Sequence, residues 1–220
     1  IKIKEKGDGT YIKHLVNMYS FEGTHFLEQA QFLKKKVNDF KATILTVDVN
    51  GLGRGLADYL VTEIDENPAY EVVNDERYNK YKTSTSIPML FNVNSTQKEM
   101  KDSDIHNVFI NNITNQKVKL LKSESSIKSQ HFEDKKMTSE KYSEISRAFV
   151  MTDILCDEIM NLEYRQAGTE TKVRQISRGI SKDKFSALEY GLYWLYLQEQ
   201  KNRVKKKEVD IDLYSLLSVF

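Results

Sequence analysis

Residues 45–60 read Leu45-Thr-Val-Asp48-Val-Asn50-Gly51-Leu-Gly53-Arg-Gly55-Leu-Ala-Asp58-Tyr-Leu60. The run Ile44–Val47 is apolar and short, as a buried strand is, and it ends on an acid. Three alternating glycines follow. Beyond them Leu52, Leu56, Tyr59, Leu60 and Ile64 fall on one side at helical spacing, which predicts a helix over Gly51–Ile64. Strand, acid, glycine turn and helix together make one α/β unit. Its strand is expected at the centre of a sheet, parallel to its neighbours.

The rest of the chain extends this pattern in both directions. Residues 1–6 alternate apolar and charged, Gly7-Asp8-Gly9 signals a turn, and Tyr11–Phe21 returns, so a hairpin opens the chain. Thr24–Phe40 carries Phe26, Leu27, Ala30, Phe32, Leu33 and Val37 at helical spacing. Tyr70–Val73 is a further short strand. Residues 88–122 are mixed and define no element by periodicity. Residues 123–144 are dominated by Ser, Lys, Glu and Asp and are expected to form a mobile surface segment. A helix over Ala148–Leu162, a strand over Lys172–Ser177 and a long helix over Lys184–Gln200 follow. The tyrosines and Trp194 sit mostly at core spacing.

Length and composition narrow the function. The chain has 220 residues and a net charge of +1, which suits one domain without a global basic field for nucleic acid. The single cysteine, Cys156, rules out a disulfide framework and reads as a small buried hydrophobe. No apolar stretch approaches the roughly 18 residues of a membrane span. The opening Ile1-Lys-Ile-Lys reads as a strand already under way, so the natural N-terminus is expected upstream. His14, His25, His106 and His131 show no zinc-ligand spacing, and no Gly-x-Ser-x-Gly elbow or Walker loop is present.

The glycines admit three uses. A dinucleotide fingerprint requires G-x-G-x-x-G, but here Gly51, Gly53 and Gly55 are followed by Leu56, and Asp48 would repel a pyrophosphate. A metal site is the second use. Asp48 stands at the carboxyl end of a strand, where open α/β sheets bind ligands, and glycines keep the cleft clear. Mg²⁺ takes oxygen ligands, so a second acid is needed. Asp183, in Ile180-Ser-Lys-Asp183-Lys-Phe-Ser-Ala-Leu-Glu-Tyr, opens the last long helix and is the best candidate. The third use is structural: Asp48 as an Asx turn before Asn50-Gly51 and Asp183 as a helix N-cap.

Two stretches in this order carry a family likeness. Val47-Asp48-Val-Asn50-Gly51-Leu-Gly53-Arg-Gly55-Leu-Ala-Asp58-Tyr-Leu60 resembles the motif of the C-terminal nuclease domain of phage terminase large subunits. Lys182-Asp183-Lys-Phe-Ser-Ala-Leu-Glu-Tyr is similar to that family's late motif, and the opening hairpin fits too. The resemblance covers most of the chain and is weakest at residues 88–145. It implies a ribonuclease H-like mixed sheet flanked by helices, in one domain over 1–220. It implies an endonuclease that binds two Mg²⁺ or Mn²⁺ ions and cuts double-stranded DNA during genome packaging in the host cytoplasm. Asp48 matches the family's second acid and Asp183 its third. The first acid lies on a strand just before the hairpin, and no residue here matches it. The alternative is a noncatalytic DNA-binding or assembly module of the same fold. Lys182 and Lys184, which flank Asp183, suit DNA phosphates or plain solvation equally. Partners implied are the terminase ATPase domain upstream, the small terminase subunit and the portal. The basic run Lys201–Lys207 suits a DNA backbone or a solvated helix end. The apolar end, Leu213–Phe220, suits its own core or a partner.

Overall fold

The computed structural model describes residues 1–5, 9–94, 100–133 and 138–217, with 129–133 and 204–217 described by backbone alone. Strands β1 (Lys2–Glu5) and β2 (Tyr11–His14) pair antiparallel, Lys2 opposite His14 and Glu5 opposite Tyr11. The turn expected at Gly7-Asp8 falls outside the described residues. β2 ends at His14 and not at Phe21, because the chain then turns so that Tyr19 and Phe21 pack edge-on against Phe32, with centroids 4.9 and 5.1 Å away. Phe32 belongs to helix α1 (Phe26–Phe40), capped by His25, whose Nδ1 accepts from the Leu27 amide at 3.2 Å.

Strand β3 (Leu45–Asp48), helix α2 (Gly53–Leu60) and strand β4 (Tyr70–Val72) follow. After a short 3-10 turn over Glu76–Tyr81 comes strand β5 (Ile87–Val93). Helix α3 (Asp102–Thr114) and strand β6 (Val118–Lys119) come next. Helices α4 (Glu124–Glu133) and α5 (Ser139–Met160) occupy most of the polar segment. Strands β7 (Leu162–Ala167) and β8 (Glu170–Gln175) form a two-stranded antiparallel hairpin, and helix α6 (Asp183–Leu217) closes the described chain.

The architecture is mixed α/β. β3, β5 and β4 form an all-parallel sheet in that order, and β1, β2 and β6 a mixed one. The expectation that β3 is central is corrected: β5 lies in the middle and β3 at an edge. The reason is burial on both faces. Leu90 packs with Val47, Ala30, Val37, Ala57 and Leu60 on the α1–α2 side, while Phe91 and Val93 pack with Ile105, Val108 and Tyr193 on the α3–α6 side. A strand apolar on both faces takes the protected position. β3 keeps half-exposed Thr46 and Asp48 and borders the sheet. A third cluster joins Leu15, Phe109, Leu155, Leu162, Phe185, Leu188 and Leu192, so α6 packs into two cores at once. No helix among the described residues is long and apolar enough to cross a membrane.

Two buried charges brace the parallel sheet. Lys34 donates to the carbonyls of Thr62 and Pro68 at 2.6 and 2.5 Å and lies over the Tyr70 ring; burial pushes its ammonium down to about 8. Asp75 caps the 3-10 turn through the Arg77 amide and takes the Arg77 guanidinium on both oxygens, at 2.8 and 2.7 Å. Those bonds hold the Asp75 carboxyl below its ordinary 3.8. A depressed acid stabilises the fold above its unfolded pKa, and that contribution fades as pH falls through the folded value. Asp75→Asn is therefore expected to cost about 1–2 kcal/mol at pH 7, with wild type and variant converging at low pH. Urea midpoints measured from pH 7 down to pH 2 check this.

Candidate functional site

The turn after β3 explains the glycines. Asp48 Oδ1 accepts the Asn50 amide at 2.8 Å, an Asx turn, and Gly51 then takes a left-handed φ of 62°. A Cβ on Gly53 would stand 1.7 Å from the Asp48 carbonyl oxygen, and one on Gly55 would stand 2.7 Å from the Phe26 ring. The spacing thus serves close approach of α2 to the end of β3 and to α1. α2 itself is shorter than expected, starting at Gly53 and ending at Leu60.

Asp48 pairs in register with Val93, and side chains so paired share a face of the sheet. Val93 belongs to the α3–α6 cluster, so Asp48 faces those helices. Its charge acts there on Tyr190. Burial raises the Tyr190 phenol, and the charges of Asp48, Glu189 and Asp102 add to that rise. Tyr190 lies seven residues after Asp183, two helical turns or about 10 Å along the axis.

Asp183 is exposed at the first position of α6. It does not cap the helix with its own side chain in the manner considered from sequence: its amide donates to Ser181 Oγ at 3.1 Å. Glu158, buried on α5, accepts the Phe185 amide at 2.9 Å and so holds the same helix end. Lys184 is turned to Glu158 at 3.4 Å with little exposure, and Lys182 is exposed. Asp48 thus faces α6 at Tyr190, while Asp183 opens that helix two turns earlier. Among the described residues no group of three or more His, Cys, Asp or Glu side chains is placed to hold a metal ion.

Three further polar residues occupy this region. Glu189 is 2% exposed and lies 2.6 Å from His106 Nδ1 on α3. Burial raises its carboxyl, and His106 and Lys182 oppose the rise. Asp102, at the start of α3, acts on both Glu189 and Tyr190. The signal for Glu189 was present in the sequence: it shares the apolar stripe with Phe185, Leu188 and Leu192, where an uncompensated carboxylate is costly.

Two sheet edges also meet α6 at one place. The position a Cβ would take on Gly191 lies 2.9 Å from Ile1 Cδ1 and 4.0 Å from Thr46 Oγ1. β1 pairs only with β2, and β3 only with β5, among the described residues. No family model, curated protein or solved structure matches this chain.

Proposed function

We propose that the chain is the nuclease domain of a phage terminase large subunit, ribonuclease H-like in fold, cutting double-stranded DNA with Mg²⁺ or Mn²⁺. The observation that carries this reading is the placement of Asp48. It ends an edge strand of a parallel sheet and faces the helix that Asp183 opens. The donor chemistry fits a hard divalent cation, since both candidates are carboxylates and only Oδ1 of Asp48 has a hydrogen bond among the described residues. When bound, such an ion polarises a phosphodiester and acidifies water. The chain's own part is positional. The Asx turn fixes Asp48, while Ser181 and Glu158 fix the helix end that carries Asp183.

The second reading is a noncatalytic DNA-binding or assembly module of this fold. It is favoured by the structural work that Asp48 already does as an Asx turn, and by the two turns between Asp183 and Tyr190. Association with an ATPase domain, a small terminase subunit and a portal belongs to either reading, as does a place in the host cytoplasm. The test is Mn²⁺-dependent cleavage of duplex DNA by this chain and by a version extended upstream. Asp48→Asn and Asp183→Asn should each lower cleavage at least about 100-fold. Cleavage unchanged in both variants overturns the nuclease reading, and absence of cleavage by either chain favours the module.

A further inference from the structure

The β7–β8 hairpin turns one face to the protein and the other to solvent. Leu162 and Thr171 are buried, and Tyr164 and Val173 pack against the cluster of Leu155, Phe185 and Leu188. The Thr171 amide donates to Ser103 Oγ of α3 at 2.9 Å, and its hydroxyl donates to Asn107 Oδ1 at 2.7 Å. Side chains alternate along a strand, so their neighbours point outward. The outward set is Glu163, Arg165 and Ala167 on β7, with Arg174, Lys172 and Glu170 opposite them in register.

The charges on that face are not arranged for stability. Arg165 stands directly across from Lys172, and like charges so placed repel. Glu163 is opposite Arg174 in the ladder, yet its carboxylate goes to Arg165 at 3.0 Å. Lys172 and Arg174 are exposed and have no ion-pair partner among the described residues. They stand about 6.6 Å apart on one strand. Arg178 and Lys182, both exposed, follow on the turn from β8 to Asp183. That turn is held in place. Asn161 donates to the Ser177 carbonyl and accepts its amide, each at 2.8 Å, and Gln175 Nε2 donates to the Ile180 carbonyl at 2.6 Å. From Glu163 to Asp183 cations outnumber acids five to three, on a platform braced to α3 and α5.

We propose that the outer face of the β7–β8 ribbon docks on the sugar–phosphate backbone of duplex DNA, with Lys172 and Arg174 on phosphates and Arg178 and Lys182 alongside. A two-stranded ribbon has the breadth of a DNA groove, and a polyanion relieves the repulsion between Arg165 and Lys172. The proposal names where the substrate of the nuclease reading docks. It rests on that reading's choice of duplex DNA, but on neither metal nor cleavage.

The experiment is fluorescence anisotropy of a labelled duplex with the whole chain, in EDTA, over a series of salt concentrations. Phosphatidylserine vesicles are the second probe. Lys172→Ala and Arg174→Ala should each weaken duplex binding roughly tenfold and lower the slope of log affinity against log salt by about 1. Glu163→Gln should tighten binding, because it removes an acid from the face and frees Arg165. Lys35→Ala, which removes an exposed cation from α1, should change neither quantity. Thermal midpoints report whether the variants fold, and Lys172→Ala should not lower the midpoint, since it ends the repulsion with Arg165. Shifts in the amide signals of Arg165, Lys172 and Arg174 on adding unlabelled duplex test the wild type without any variant. Full affinity and an unchanged slope in both folded alanine variants overturn this surface and leave the nuclease reading standing. No duplex binding even at low salt overturns the surface and removes the substrate of that reading as well. Binding to the vesicles without binding to the duplex overturns the assignment to DNA.

Discussion

Gly53→Ala is expected to destabilise the chain by at least about 4 kcal/mol, enough to unfold a domain of ordinary stability. A Cβ there would stand 1.7 Å from the Asp48 carbonyl oxygen. No rotamer relieves this, because Cβ has none, and the obstacle is backbone. Either α2 lifts from the end of β3 or the β3 ladder shifts, and both uncover Val47, Ala57 and Leu60. Gly51→Ala is the internal control. Its Cβ meets nothing within 4 Å, so only the left-handed φ of 62° opposes it, at about 1–2 kcal/mol. Denaturant unfolding of the two variants side by side separates a steric role at position 53 from a conformational one at position 51. Equal, small losses would show that the turn is not packed in this way.

The second large effect concerns Lys13 and Glu199. Lys13 is fully buried, and the Glu199 side chain is 6% exposed. The pair links β2 to α6, and the Tyr11 amide and the Asn202–Tyr11 contact at 2.6 Å lie beside it. Removing one partner strands a charge in the interior. Lys13→Met and Glu199→Leu are each expected to cost about 3–5 kcal/mol. The double variant should regain most of that loss, since two apolar side chains of similar volume need no partner. A double-mutant cycle from urea midpoints checks it. Additive losses would mean that the two residues act separately.

Parts of this fold were legible because local sequence specifies them. α1, β3 and β4 follow from periodicity within a few residues of their ends. β5 was not legible, since Ile87-Pro-Met-Leu-Phe-Asn-Val shows no alternation when both faces are buried. The same fact hid the strand order, because β3 looks central until β5 is recognised as the more buried neighbour. The start of α5 was hidden by its polar composition. A tertiary contact helps fix it: Tyr142 donates to Glu124 of α4 at 2.9 Å. Cys156 sits half-buried on that helix, its thiol raised by burial first and by Asp153 and Asp157 after it. The β7–β8 hairpin was half seen, although Gly168, at a φ of 64°, marked its turn.

The candidate site was legible to a similar degree. Asp48 and Asp183 stood out because acids at a strand end and a helix start are visible in one dimension. Their relation through Tyr190, and the pairing of Glu189 with His106 across 83 residues, depend on how α6 crosses the sheet. Spacing along the chain carries no trace of that crossing. That the glycines let the helix start close to the sheet was legible; the particular neighbours, the Asp48 carbonyl at Gly53 and the Phe26 ring at Gly55, were not.

The central claim is that Asp48 and Asp183 serve one divalent cation centre. It is tested most directly by titrating Mn²⁺ into the isotope-labelled chain and following paramagnetic broadening of backbone amides. The nuclease account expects the signals of Asp48 and Asp183 to broaden together at the lowest Mn²⁺ concentrations, and Asp48→Asn to weaken both effects. Broadening confined elsewhere, or broadening at Asp183 that is indifferent to Asp48→Asn, would contradict it.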